Sequence, residues 1–418
     1  MKVSRLGLKT MKSRGTDESL AQEILFQSAQ LKRHAAGIYG LGNMLVRTRN
    51  NIMNIIRSKL EKYECVEVSL PVLQPKQLWE ESGRWEGYAS SKQMFYFDGR
   101  NGTYCLAPTA EEIIMDLMKY NLISYKDLPV NIYQIGLKFR DEIRVRGGLL
   151  RSKEFTMKDG YSFHESHEDM VEEYERMKAC YKEIFSALNL DAIPVKAVSA
   201  EMGGKVSEEF MHISDIGEDK ILYDLQKGVA FNTEILDNPE LLEALKAENP
   251  DLDIDALEKR SSIELGHIFQ LGQFYSKSMG GYFTSREGKK EAYYMGCYGI
   301  GINRTLGAIC EKYCDNDGLI WPEFIAPYKC LIINGNQSNE AAEGIYKLLM
   351  ENQIDVLWDD RDMSFGAKIK DGKLLGIPYM IIIGKSYAES GNIEIELRKN
   401  GEKCFVKAEE LVSYFKSK

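Results

Sequence analysis

Two widely separated segments of this chain carry arginines in settings suited to phosphate. One is Phe139-Arg140-Asp141-Glu142, which leads into a basic turn, and the other is Gly299-Ile300-Gly301-Ile302-Asn303-Arg304, which opens a helix. A guanidinium is always protonated, and its planar fork can meet phosphate oxygens two at a time, which a lysine's point charge does less well. Together the two segments read as a nucleotide clamp. Activating a carboxylate with ATP builds charge on the α-phosphate and releases pyrophosphate. That chemistry needs fixed cations at both ends of the triphosphate and little covalent help from the protein.

The elements that must position these groups can be read from periodicity. From Val130 to Arg140 the residues alternate as in a strand, and Glu154 to Phe163 reads as the returning strand. Between them Arg144, Arg146, Arg151 and Lys153 surround Gly147-Gly148, so the segment predicts an antiparallel hairpin with a cationic loop. Four cations beside a phosphate clamp favour an anionic partner over a merely solvated turn. Leu45, Ile52, Ile55, Ile56 and Leu60 fit one face of a helix, and Val66, Val68 and Leu70 predict a strand that ends at Pro71. The mostly apolar run Glu264–Gly272 contains two titratable residues, Glu264 and His267. Such a histidine is commonly a satisfied core group, but its nearness in sequence to the second arginine segment makes it a pocket candidate.

Residues 236–260 are acidic and helix-prone, with prolines at 239 and 250, and predict a small helical insert. From about Ala326 the pattern changes to apolar strands at 330–333, 354–358 and 379–383, separated by helices near 338–352 and 366–375. This predicts a separate α/β domain with a mainly parallel sheet. A boundary at 325/326 therefore divides the chain of 418 residues.

Composition excludes several classes. The chain is 44% hydrophobic and 28% charged, which is ordinary for a globular protein. Its net charge of −9 argues against nonspecific coating of nucleic acid, which rests on phosphate neutralisation. The eight cysteines are dispersed, and Cys310-x3-Cys314 and His164-x2-His167 do not join into a zinc set, so reduced thiols are expected. The first residues are basic without an apolar run, and nothing approaches a membrane span, which predicts a cytoplasmic protein with no membrane partner.

The segments LWEESGRW (78–85), APTAEE (107–112), FRDEIRVRGGLLRSKEFTMKDGYSF (139–163), GHIFQLG (266–272) and MGCYGIGINR (295–304) resemble those of class II aminoacyl-tRNA synthetases. More narrowly, they resemble bacterial-type prolyl-tRNA synthetases that lack the large editing insertion. The likeness runs through nearly the whole chain. It implies an α+β catalytic domain (1–325) built on an antiparallel sheet flanked by helices, and a C-terminal anticodon-binding domain (326–418). It also implies a homodimer that makes a prolyl adenylate from L-proline and ATP with Mg2+, then charges tRNA(Pro).

By the same resemblance Arg140 would hold the α-phosphate and the amino-acid carboxylate. Arg304 would take the γ-phosphate, Glu142 would face the adenosine, and Phe155 would stack on adenine. Thr109 and Glu111 would receive the proline amine, with His267 and Phe269 as walls for its ring. Glu264 would be a magnesium ligand, and Arg144, Arg146 and Arg151 would contact the tRNA acceptor end. A small apolar pocket discriminates weakly between proline and alanine. With only the 236–260 insert where relatives carry an editing domain, a separate alanyl-tRNA deacylase is expected.

The chain departs from the family pattern at Ala110, Val145, Gly147, at Glu208 in GGKVSEEF, and at Ser364, Phe365 and Lys373 in the C-terminal domain. The departures in the basic loop and the C-terminal segment motivate a second reading, a paralogue that transfers proline to a non-tRNA acceptor, and a third of a different class is a noncatalytic regulatory subunit. The noncatalytic reading predicts damage to the clamp, yet Thr109, Glu111, Arg140, Glu142 and Arg304 are all in place.

Overall fold

The computed structural model describes residues 1–7, 9–11, 19–199, 206–224 and 226–418. Residues 203–205, which begin the GGKVSEEF segment, lie outside the described residues. The chain divides into two compact units, one made of Ala36–Ile38 and Met53–Ala308, the other of Met1–Ala35, Tyr39–Ile52 and Ile309–Lys418.

The first of these is built on a nine-stranded sheet. Its strands run in the spatial order Val206–Ile213, Ala192–Lys196, Val229–Asn232, Asp219–Asp224, Glu258–Gly272, Tyr294–Gly301, Glu154–His164, Val130–Phe139 and Val66–Glu67. Most neighbours are antiparallel. The expected hairpin is present, with register from Val130 opposite Phe163 to Phe139 opposite Glu154. In its loop Gly147 and Gly148 take φ values of 59° and 57°, a left-handed backbone that glycine enters without strain. The turn folds back far enough for Arg146 and Arg151 to exchange backbone hydrogen bonds of 3.1 and 3.2 Å.

The Tyr294–Gly301 strand fills the gap between Glu154–His164 and Glu258–Gly272. A Cβ on Gly266 would stand 2.8 Å from the carbonyl oxygen of Gly299, so this close approach depends on glycine. The helix His167–Ala187, capped by Ser166, covers one face through Met170, Tyr174, Met177, Tyr181, Ile184 and Phe185, all buried. Ile114, Met115, Tyr161, Phe163, Leu271, Tyr293 and Met295 belong to another core cluster of this unit.

The alternation from Val66 to Leu70 forms less strand than predicted. Only Val66–Glu67 is laddered, parallel to Val130–Phe139. The physical reason is a change of acceptor: the Leu70 N–H donates to the side-chain oxygen of Gln134 at 3.2 Å, and Val68 and Leu70 pack against the core. In the insert a helix forms over Pro239–Glu248, with Asn238 accepting from the Leu241 N–H. Its Leu245 shares a small core with Leu222, Val229, Phe231 and Ile235. Residues 258–260, read as the end of the insert, instead begin the long strand.

The other unit carries a five-stranded sheet ordered Val356–Asp359, Cys330–Asn334, Tyr379–Ile383, Asn392–Leu397 and Lys403–Lys407. The first three strands are parallel and the last two antiparallel. Helices Asn339–Glu351 and Phe365–Leu375 connect the parallel strands, as the apolar periodicity indicated. Ile332, Val356, Ile381, Ile345, Leu349 and Phe415 form one core cluster, while Val3 packs with Leu331, Ile333, Leu357 and Met380 in another.

Candidate active site

A cavity of about 400 Å³ opens in the larger unit. Thr109, Glu111, Arg140, Glu142, Phe155, Glu264, His267, Phe269 and Arg304 all line it. Arg140 follows the Val130–Phe139 strand, and its backbone N–H donates to the Lys153 carbonyl at 3.0 Å. Its side-chain Nε donates to the Pro108 carbonyl at 3.3 Å, which ties the hairpin to the Thr109–Glu111 turn. The guanidinium carbon stands 5.5 Å from the Phe155 ring centroid.

Arg304 lies in the first turn of the helix Ile302–Lys312. Its Nε donates to the Leu150 carbonyl at 3.1 Å, its Nη1 to the Glu264 carbonyl at 3.0 Å, and it pairs closely with the Glu264 carboxylate. These bonds fix the fork. In a regular strand Glu264 and His267 have opposite parity and face opposite sides. They meet because the register slips: Phe210 pairs with Gly266, but Met211 pairs with Glu264, so Leu265 is skipped in a bulge. His267 Nδ1 comes within 3.5 Å of Glu264 Oε1 and 3.6 Å of Glu209 Oε1, and its ring stacks on Phe269 at 3.8 Å.

Two acids of this corner were not anticipated. Glu209 and Asp219 lie in strands for which the sequence offered no reading. Burial and the charge of Glu264 push the Glu209 carboxyl up to about 8 and Asp219 up to about 6. Burial alone would raise Glu264 as well, but Arg304 and His267 hold it well below the usual carboxylate range. Carboxylates forced toward their neutral forms in one corner suit a divalent cation. Glu209, Glu264 and His267 place ligand atoms within 4.8 Å of one another. The two carboxylates match the oxygen preference of Mg2+, whereas the imidazole suits a wall better than a ligand.

In the floor of the cavity, which Asp159 and Tyr161 help to line, a chain of buried polar groups supports the Thr109–Glu111 turn. Lys138 Nζ donates to Asp159 Oδ1 at 2.7 Å, Gln134 Nε2 to Asp159 Oδ2 at 2.9 Å, and the Tyr161 hydroxyl to the same oxygen at 3.0 Å. Tyr161 in turn accepts the Ala110 N–H at 3.2 Å.

The three loop arginines are not brought together. Arg144 and Arg146 are exposed and do not line the cavity. Arg151 does line it, donating from Nε to Glu142 at 2.9 Å and from Nη1 to Glu218 at 2.8 Å. These carboxylates raise its pKa above the usual arginine value against the opposing effect of burial. Its guanidinium is therefore committed to holding Glu142, not presented outward with the other two.

The sheet, its clamp and a family comparison together define a class II synthetase core: residues 95–313 match the tRNA synthetase class II core domain (G, H, P, S and T), and residues 329–418 match the anticodon binding domain. A proline--tRNA ligase of Ehrlichia ruminantium is 36% identical over the full length of both chains, and one of Rickettsia bellii is 38% identical over 96% of this chain and 95% of its own. The chain belongs to the proline--tRNA ligase family. In fold it is similar to crystal structures of prolyl-tRNA synthetase from Cryptosporidium parvum. One, complexed with halofuginone and AMPPNP, has a TM-score of 0.75 at 17% identity, covering 97% of this chain and 80% of that one. The other, complexed with L-proline and AMP, has a TM-score of 0.74 at 17% identity, covering 98% and 76%.

Proposed function

We propose that this chain joins L-proline to tRNA(Pro) through a prolyl adenylate. The observation that carries the reading is that Arg140 and Arg304, far apart in sequence, line one cavity with Thr109 and Glu111. In the first step a proline carboxylate oxygen attacks the ATP α-phosphorus and pyrophosphate leaves. In the second a hydroxyl of the terminal ribose attacks the prolyl carbonyl carbon and AMP leaves.

Arg140 holds the α-phosphate and the substrate carboxylate, so the reacting atoms meet already oriented. Arg304 holds the γ-phosphate, Phe155 stacks on adenine, and Glu142, itself braced by Arg151, faces the adenosine. Glu111 and Thr109 receive the cationic amine, with His267 and Phe269 walling the ring. Glu264 and Glu209 would hold Mg2+ through their carboxylate oxygens, and the ion would supply positive charge against the charge of the triphosphate. Arg144 and Arg146, exposed on the loop, are assigned to the tRNA acceptor end.

We read residues 1–325 as the catalytic region and 326–418 as the anticodon-binding region of a homodimer working in the cytoplasm. No helix among the described residues is long and apolar enough to cross a membrane. The insert at 236–260 holds one helix and short turns, which is the basis for assigning alanyl-tRNA editing to a separate deacylase. Proline-dependent ATP–pyrophosphate exchange, followed by charging of purified tRNA(Pro) in the same preparation, tests the reading. Exchange with charging supports it; exchange without charging redirects it to another acceptor; no exchange in folded protein overturns it.

A further inference from the structure

Behind the Thr109–Glu111 turn lies a buried cation. Arg84 sits between the short helices Lys76–Ser82 and Trp85–Ser90, with its side chain only 5% exposed. Its Nη1 donates to Glu112 Oε1 at 2.9 Å and, at a longer 3.4 Å, reaches Glu111 Oε2 and Thr109 Oγ1. Its Nη2 donates to the Tyr88 hydroxyl at 2.8 Å. The guanidinium carbon lies 4.8 to 5.5 Å from the ring centroids of Tyr88, Trp79 and Tyr275, so aromatic faces enclose the charge.

Glu111 and Glu112 adjoin in sequence, and their side chains are 1% and 0% exposed. Two buried carboxylates side by side repel one another unless a cation stands against them. Glu112 Oε1 takes the shortest of Arg84's carboxylate bonds and also accepts from Ser82 Oγ at 2.8 Å. Glu111 keeps only the longer contact to Arg84, and its other oxygen meets the Cys297 thiol at 3.3 Å.

We propose that Arg84 is a positioning residue for proline recognition: by pairing with Glu112 and steadying Thr109, it keeps the Glu111 carboxylate available and directed at the substrate amine. The inference deepens the functional reading above and rests on its assignment of Glu111 and Thr109 to that amine. It also explains why arginine stands here: one planar fork spans two carboxylates, a threonine and a tyrosine, which an ammonium group does not span.

The test compares Arg84→Gln, Arg84→Lys and the double variant Arg84→Gln/Glu112→Gln in proline-dependent ATP–pyrophosphate exchange, with KM for proline and for ATP measured separately. Arg84→Gln is expected to raise KM for proline by at least about thirtyfold, the scale for removing one partner of a buried hydrogen-bonded charge pair, and to leave KM for ATP unchanged. In the double variant Glu111 is the lone acid, and most of the proline affinity returns. Arg84→Lys falls between wild type and Arg84→Gln. Should Arg84→Gln not fold, the other two variants carry the comparison.

A role in packing alone predicts that the double variant is no better than the single one and that both KM values change together; that result overturns the proposal. Unchanged KM for proline in Arg84→Gln overturns it as well while leaving the functional reading intact. No proline-dependent exchange in the folded wild type overturns both.

Discussion

Lys138→Met removes the cation at the base of the chain that leads through Asp159 and Tyr161 to Ala110. Lys138 and Asp159 have side chains only 1% and 4% exposed and lie 2.7 Å apart. Asp159 borders the cavity but keeps little exposed surface, so water replaces only a small part of the solvation that the lysine provides. Leaving one member of a buried ion pair alone costs about 3 to 5 kcal/mol, and this pair sits at the buried end of the class. Because Asp159 also accepts from Gln134 and Tyr161, the loss acts on a network, not on one bond. Hydrogen exchange read on peptides covering 130–139 and 154–164 reports the free energy of opening these paired strands. At about 1.4 kcal/mol per factor of ten, their exchange should speed up by two to nearly four orders of magnitude. The double variant Lys138→Met/Asp159→Asn leaves no charge stranded and should recover most of the loss. Acceleration of less than about tenfold in Lys138→Met would refute this view of the pair, as would a double variant no more protected than the single.

Other outcomes follow from the same structure. Glu209 at about 8 and Asp219 at about 6 bind protons in the folded chain that ordinary carboxyls of the unfolded chain have released. The stability they contribute is thus present at acid pH and is lost as pH rises through roughly 4 to 8, so melting should occur at lower temperature near pH 8.5 than near pH 5.5. Glu209→Gln should flatten that dependence, and an unaltered slope would exclude Glu209 as a source. Arg140→Ala should lower pyrophosphate exchange by at least about a hundredfold, the scale for losing one preorganised charge-stabilising donor. Lys373→Ala, in the other unit, should leave exchange intact and lower only tRNA charging; equal losses in both assays would contradict the assigned division of labour. Isolated protein should fail to deacylate alanyl-tRNA, and rapid clearance would show that the chain edits its own product.

The parts of the site that could be read from the sequence are those whose signal is local. The hairpin announces itself by alternation on either side of Gly147-Gly148, and Arg304 by its place where a glycine-rich strand becomes a helix. The alternating C-terminal strands and helices were readable for the same reason. Glu209 and Asp219 were missed because their strands pair with Glu258–Gly272 across a long stretch of chain, and register is not written in either segment alone. The bulge at Leu265, which turns Glu264 toward His267, is likewise a property of two strands. Arg84 stands within LWEESGRW, and nothing in that segment shows that Glu111 and Glu112 will close over it. The short Val66–Glu67 ladder has a similar origin: Gln134, remote in sequence, captures the Leu70 N–H that alternation assigned to a neighbouring strand.

The place of Tyr294–Gly301 in the sheet has a consequence for synthesis. This strand lies between Glu154–His164 and Glu258–Gly272 but follows both in the chain. On the ribosome the 130–164 hairpin can close early from its own contacts, whereas the partner for its inner edge emerges much later. Throughout that interval the inner edge of Glu154–His164 shows unpaired N–H and C=O groups to other nascent copies, joined near its end by the facing edge of Glu258–Gly272, and such edges are the template on which misassociation begins. The strand that seals them also leads directly into the turn bearing Arg304. A growing polypeptide therefore gains protection from aggregation and a grip on triphosphate at nearly the same moment, late in translation.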